Sequence, residues 1–253
     1  MEKKKMSKLP LDYENYVFDL YGTLVDIHTD EEPESIWEKL AMFYGYYGAH
    51  YSAKELKCRY KKLVDNHEKE QKTNLENSTA YSHEASPEIK IEEVFMQLFT
   101  DKGIKADNEL AVHAGQFMRV MSTDYVRAYP GTGEMLENLK ANGKKVYLLS
   151  NAQRIFTEYE MHDIDIFKYF DEIFISSDYG TKKPDIRFFD VLIKKCGIDP
   201  KKSLFIGNDS TTDIKGATEA GFDTFYVKSN ISPENDMTEN STYKVAEFTK
   251  WEY

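Results

Sequence analysis

Short apolar runs that break off at polar or glycine-containing stretches, alternating with segments of helical periodicity, restrict this chain to a small set of folds. The runs read at Tyr16–Tyr21, Lys145–Leu149, Glu172–Ile175, Ser203–Ile206 and Thr224–Val227, with helical spacing over Glu134–Ala141, Asp185–Cys196 and Asp213–Ala220. Strands this short and this apolar, separated by helices, imply a parallel sheet covered on both faces. Asn142-Gly143 caps the helix that precedes Lys145, and the alternation is continuous after Tyr129-Pro-Gly131. The predicted architecture is a doubly wound α/β core, whose ligands bind beyond the carboxyl ends of the strands. Residues at those ends are therefore the candidates for chemistry.

The alternation is interrupted once. From Ile36 to about Tyr125 apolar residues recur at helical spacing, as in Ile36, Leu40, Phe43 and Tyr44, or Val94, Phe95, Leu98 and Phe99. Within this stretch Glu70 to Pro87 is polar and rich in Asn, Ser and Thr, which reads as a loop or frayed connection. The expected organisation is an α/β core built from 1–27 and 126–253, with an all-helical cap at 28–125. Trp37, Phe43, Tyr44, Tyr46 and Tyr47 read as core of that cap rather than as a substrate platform. His50, His67, His83 and His113 show no ligand spacing. The tail beyond Ser229 is polar, with Tyr243-Lys-Val-Ala as a candidate edge strand.

Composition narrows the partners. The chain has 253 residues, of which 41% are apolar and 14% aromatic, enough for a buried core and unlike a disordered segment. A formal charge of −11 with acidic residues spread along the length argues against nucleic acid and anionic membrane as partners. A small anionic substrate stays open, because a bound divalent cation reverses the field within one cleft. Cys58 and Cys196 lie far apart without CxxC spacing, so neither a disulfide nor a zinc site is indicated and both read as buried thiols. The basic start through Pro10 is not followed by the apolar run of a secretory signal, and no stretch approaches a membrane span, so a cytoplasmic location is expected.

The strand ends carry a polar constellation. The first presents Asp19, Tyr21 and Thr23; the second Ser150 and Asn151; the loop after the third Lys183-Pro184; the fourth Asn208, Asp209, Ser210 and Asp213. Folding alone has no reason to converge carboxylates, a hydroxyl and an ammonium on one sheet edge. In order, Asp19-Leu-Tyr-Gly-Thr-Leu24, Leu148-Leu-Ser-Asn151, Lys183-Pro-Asp185 and Ile206-Gly-Asn-Asp-Ser-Thr-Thr-Asp213 resemble the four motifs of the haloacid dehalogenase superfamily. The helical insertion after the first motif looks like that superfamily's cap.

The resemblance implies a Rossmann-like core and a magnesium-dependent phosphatase acting on a small phosphorylated metabolite through an aspartyl-phosphate on Asp19. A carboxylate attacking a phosphate dianion needs a nearby cation to offset repulsion, and magnesium favours hard oxygen ligands. The implied ligands are the Asp19 carboxylate, the Tyr21 backbone carbonyl and the Asp209 side chain. Ser150 is implied to donate to a phosphate oxygen, Lys183 to balance phosphoryl charge, and Asp213 to orient Lys183 or a metal-bound water. Thr23 and Asn151 join Ser150 and Lys183 as candidate substrate-binding residues.

Tyr21 departs from the phosphatase pattern, which usually has a second aspartate there as general acid and base. Losing a positioned acid lowers rates by about 10²–10⁴-fold; Asp26 and Glu88 are candidate replacements. The metal-free 2-haloacid dehalogenases resemble Asp-x-Tyr-Gly-Thr at this point and form the alternative. They have serine and asparagine where this chain has Asn208-Asp209-Ser210, and a tyrosine where it has Phe189. Their cap arginine has no well-placed counterpart before Arg59. A weakly active relative that only binds phosphate is the third reading.

Overall fold

The computed structural model describes residues 8–78, 84–234, 236 and 240–252. In chain order its elements begin with β1 (Asn15–Phe18), β2 (Val25–Thr29), α1 (Glu34–Tyr46), α2 (Ala53–Glu76), α3 (Ile91–Thr100) and α4 (Asn108–Ser122). They continue with β3 (Thr123–Ala128), α5 (Thr132–Ala141), β4 (Lys145–Ser150), α6 (Arg154–Asp163) and β5 (Glu172–Ile175). The chain then forms α7 (Ile186–Cys196), β6 (Ser203–Gly207), α8 (Lys215–Glu219), β7 (Asp223–Val227) and β8 (Tyr243–Val245).

The six-stranded sheet runs in the order β5-β4-β1-β6-β7-β8 with every pairing parallel. Alternation along β1 explains its two faces. Tyr16 and Phe18 point to one side, among Leu136, Leu139, Leu148, Ile206 and Trp251. Val17 points to the other, among Leu149, Phe188, Phe189, Leu192 and Phe205. A period of two is what a pleated strand imposes, and both faces being apolar makes the strand central. Phe18 pairs with Leu148 and with Ile206, so the polar residues after β1, β4 and β6 leave the sheet side by side.

The helical stretch forms α1 to α4 around its own apolar cluster, with Trp37 1% and Tyr44 0% exposed. Of the aromatics assigned to that core, Tyr46 (86% exposed) and Tyr47 (47%) instead face solvent, near the carboxyl end of α1. The Glu70–Pro87 stretch, expected as a loop or frayed connection, is instead helical as far as Glu76, and within it the Gln71 amide donates to Gly180 O at 2.8 Å. His83 lies outside the described residues. Cys58 is exposed and Cys196 half-buried, correcting the expectation of two buried thiols. Cys58 falls on the solvent side of α2, whose buried residues are Leu56 and Leu63.

Two further features shape the site. An antiparallel ribbon of β2 and β3 joins the α/β portion to the helices, with Asp26 opposite Arg127. This corrects the expectation of an all-helical 28–125: its first residues, to Thr29, and its last, from Thr123, are strand. The polar tail closes the core: β8 adds to β7, and Trp251, 2% exposed, donates through its indole to Thr23 O at 3.1 Å. No helix among the described residues is long and apolar enough to cross a membrane.

Candidate active site

Asp19 is the first residue past β1, and its amide donates to Ile206 O at 2.9 Å, which extends the pairing with β6 by one step. Glycine then allows a tight reversal: Gly22 has φ +87°, and a Cβ there would meet Asn208 Nδ2 at 2.1 Å. The turn returns Thr23 beneath the carboxylate, where its hydroxyl lies 3.3 Å from Asp19 Oδ2 and 3.4 Å from Asn208 Oδ1.

Lys183 is the centre of charge. Its Nζ lies 2.7 Å from Asp19 Oδ1 and 2.7 Å from Asp213 Oδ1, with the lysine side chain 1% exposed. Burial acts to lower its pKa, but the two carboxylates outweigh it and hold the ammonium above its ordinary range. Burial is the largest influence on Asp213 and pushes its carboxyl up, to about 7, with Lys183 drawing it back. The second Asp213 oxygen accepts from the amides of Asn208 at 3.0 Å and Asp209 at 3.1 Å. Gly207 permits this, since a Cβ there would sit 2.4 Å from Asp213 Oδ2. Asn151 fastens the lysine's backbone from both sides, accepting from Lys183 N at 2.8 Å and donating to Lys183 O at 2.9 Å.

Asp19, Tyr21, Asn151, Lys183, Asp209 and Asp213 line one cavity of about 270 Å³ together with Asn208, Thr212, Ile231 and Pro233. Thr23 and Ser150, both 0% exposed, do not line it. Ser150 Oγ has no hydrogen-bond partner among the described residues, an uncommon state for a buried hydroxyl and one that a phosphate oxygen would relieve.

The donor chemistry suits a hard divalent cation. Asp209 Oδ1 accepts from the amides of Thr211 at 2.7 Å and Thr212 at 3.1 Å, which holds the carboxylate at the cavity wall. Asp19 Oδ2 has only the long Thr23 contact among the described residues. No group of three or more His, Cys, Asp and Glu side chains arranged for a metal occurs among the described residues. An ion placed between Asp19 and Asp209 would have to draw on carbonyl, amide and water oxygens for the rest of its shell, which is the donor set magnesium accepts.

Tyr21 lines the cavity, but its hydroxyl is engaged elsewhere. It donates to Glu160 Oε2 in a short contact and lies 3.1 Å from Thr157 Oγ1. Glu160 also binds Arg119 of α4, with Nε to Oε1 at 2.7 Å, and burial raises the phenol's pKa strongly. A phenol held this way is a poor proton donor to a leaving group. Tyr21→Phe is therefore expected to lower turnover less than about tenfold, well short of the 10²–10⁴-fold typical of a lost general acid. Steady-state rates of the two proteins check this, and a hundredfold loss would assign the phenol a chemical role. Glu160 and Arg119 carried no motif in the sequence; only α6 packing against α4 brings them to Tyr21.

The two replacement acids are placed away from the cavity. Asp26 accepts from Arg127 Nη2 at 2.7 Å and from Asn230 Nδ2 at 2.9 Å. Glu88 is buried among Ser176, Gln153 and the Ile89 amide, and burial raises its pKa. Phe189 packs against Phe205 and Phe222 on the far side of the sheet.

A family profile for haloacid dehalogenase-like hydrolases matches residues 13–221. The chain is 32% identical over 117 residues to a glyceraldehyde 3-phosphate phosphatase of Methanothermobacter thermautotrophicus, covering 46% of this chain and 52% of that protein. It is 26% identical over 152 residues to a pyrimidine 5′-nucleotidase of Streptococcus pneumoniae, covering 60% of this chain and 62% of the relative. The match thus spans about half to three fifths of those relatives' lengths. In fold, a 2-haloacid dehalogenase from Pseudomonas syringae pv. Tomato superposes over 94% of both chains with a TM-score of 0.58 at 17% identity.

Proposed function

The chain belongs to the haloacid dehalogenase-like hydrolases, whose profile spans residues 13–221, and on that premise we propose that it is a phosphatase of a small phosphorylated metabolite with Asp19 as nucleophile. The observation that carries this reading is Lys183, buried between Asp19 and Asp213 at 2.7 Å from each. Burying such a trio is unfavourable for folding by itself. It serves a site that must hold a nucleophilic carboxylate and a dianion together.

In this reading Asp19 Oδ2 attacks phosphorus and the ester P–O bond breaks. The departing alkoxide takes its proton from water, since the Tyr21 hydroxyl is committed to Glu160. Water then attacks the aspartyl-phosphate, releasing inorganic phosphate and restoring the carboxylate. Lys183 faces the charge that builds on the transferred group, Ser150 supplies its free hydroxyl to a phosphoryl oxygen, and Asn151 positions Lys183. Thr23 and Asp213 hold Asp19 and Lys183 in place. Asp19, Asp209 and the Tyr21 carbonyl are the residues to hold magnesium, which when bound screens the charge between nucleophile and phosphate. The helices of 28–125 act as the cap over this core.

Turnover of p-nitrophenyl phosphate with and without EDTA tests the assignment. Activity is expected to fall at least tenfold in EDTA and return with added magnesium; unchanged turnover would sink the metal requirement. The dehalogenase alternative rests on Tyr21, yet no arginine lines the cavity among the described residues and Asp209 does. Halide release from L-2-chloropropionate is its direct assay.

A further inference from the structure

We propose that the loop following β7 selects the leaving group of the substrate, through Ile231 and Pro233, and that Asn230 is the positioning residue that holds this loop at the cavity. This rests on the phosphatase reading of the same site and names a second feature of it: where the discrimination between substrates lies.

Three observations lead here. First, among the described residues no residue of the helical segment 28–125 lines the Asp19 cavity, whereas Ile231 and Pro233 do. They are the aliphatic part of a wall otherwise made of carboxylates, amides, an ammonium, a hydroxyl and the Tyr21 ring. Ile231 is 37% exposed, so it stands at the mouth and not in the core. Lys183 and Asp19 fix the phosphoryl end below, which leaves the group carried by the ester oxygen to meet Ile231 and Pro233.

Second, the loop is held by dedicated polar contacts at its start. Asn230 Nδ2 donates to Asp26 Oδ1 at 2.9 Å, and its Oδ1 accepts from the Tyr129 hydroxyl at 2.5 Å. Asp26 lies in β2 and Tyr129 directly follows β3, at the end of the ribbon nearer the sheet. Ser232 Oγ accepts from Ser229 N at 3.0 Å and lies 3.4 Å from Asn208 Nδ2, which itself lines the cavity. Both sides of Ile231 are thus tied down, one to the ribbon and one to the β6 end.

Third, the cavity opens to solvent at Ile231, so the chemistry of its wall and not an enclosed volume discriminates. A leaving group that presents an apolar surface next to the ester oxygen meets Ile231 and Pro233, in preference to a polyhydroxylated sugar.

The test is the ratio of kcat/KM for phenyl phosphate to that for glycerol 2-phosphate, measured on the full chain. Small changes in an apolar pocket shift such ratios by about 10–200-fold, and a half-exposed side chain belongs at the low end. Ile231→Ser is expected to lower the ratio about tenfold. Asn230→Ala is expected to raise KM for phenyl phosphate severalfold with kcat within about twofold, because the loop is loosened and the phosphoryl contacts are not. Tyr46→Ala, on the exposed face of α1, is expected to leave the ratio unchanged. Melting curves confirm that each variant is folded. An unchanged ratio in Ile231→Ser with Asp19-dependent turnover intact overturns this proposal alone, as does an equal shift in Tyr46→Ala. Loss of the phosphatase reading looks different: wild type then hydrolyses neither ester in an Asp19-dependent way, and the proposal falls with it.

Discussion

Asp19→Asn is expected to reduce phosphomonoester turnover by about 10⁴-fold or more while leaving the chain folded. The substitution is nearly isosteric and keeps an oxygen for Lys183 and a polar partner for Thr23, but an amide does not form the covalent intermediate. Removing a nucleophile from a concerted site typically costs as much as removing the whole group of residues that serves it. The stability change should be modest, since Lys183 keeps Asp213 at 2.7 Å as its counter-charge. Initial rates and a melting curve on the same preparation separate the two effects. Residual activity above about one part in a hundred, in a folded variant, would remove Asp19 from the chemistry.

Lys183→Met is expected to produce the largest stability loss, about 3–5 kcal/mol at neutral pH. Asp19 and Asp213 are 7% and 2% exposed, and taking away one member of a buried charge group leaves the others without compensation. The pH dependence carries the mechanism. Lys183 has a raised pKa in the folded chain, so its stabilising contribution is complete below the ordinary lysine value and is lost only as pH rises through the higher folded one. At pH 5 to 8 the wild type is therefore insensitive to this group. Without the cation, Asp213, already pushed up by burial, is pushed higher still. A carboxyl with a raised folded pKa loses stability as pH rises and regains it as pH falls. The deficit of Lys183→Met relative to wild type should accordingly shrink between pH 7.5 and pH 5 in urea unfolding. Adding Asp213→Asn to Lys183→Met should recover part of the loss, because the two sites are in contact and their effects do not add. A deficit that is constant with pH would show that lost packing, and not the uncompensated charge, is responsible.

Much of this site is legible in the amino-acid sequence. The strand ends at Asp19, Ser150 and Asn208 were located correctly because apolar runs stopping at glycine and polar residues are local signals. Lys183 and Asp213 were assigned to the same site, and they meet Asp19 within hydrogen-bonding distance. What escaped the sequence was side-chain direction. Tyr21 follows Asp19 by two residues, yet its hydroxyl is captured by Glu160 from α6. Asn151 is compatible in the sequence with either a substrate contact or a backbone-satisfying turn residue; in the structure it lines the cavity and its amide also holds the Lys183 backbone. The first outcome depends on Glu160, which has no motif of its own, and the second on how the Lys183 loop folds back against β4.

The same division holds for the fold. The residue pattern alone determined a parallel α/β core interrupted by helices, since the alternation of β1 and the helical spacing from Ile36 onward are set by side-chain periodicity within a few residues. It also carried the edge strand at Tyr243, which pairs with Phe225. Only the tertiary structure decided that Asp26 would be bound by Arg127 and Asn230, that Trp251 would cover Thr23, and that Ile231 would reach the cavity. These contacts join segments separated by a hundred residues or more, as the Asp26–Asn230 pair at a separation of 204 illustrates. Local propensity contains no information about such pairs; they arise when the sheet order places β1, β6 and the end of β7 beside one another, and packing then selects which polar groups meet.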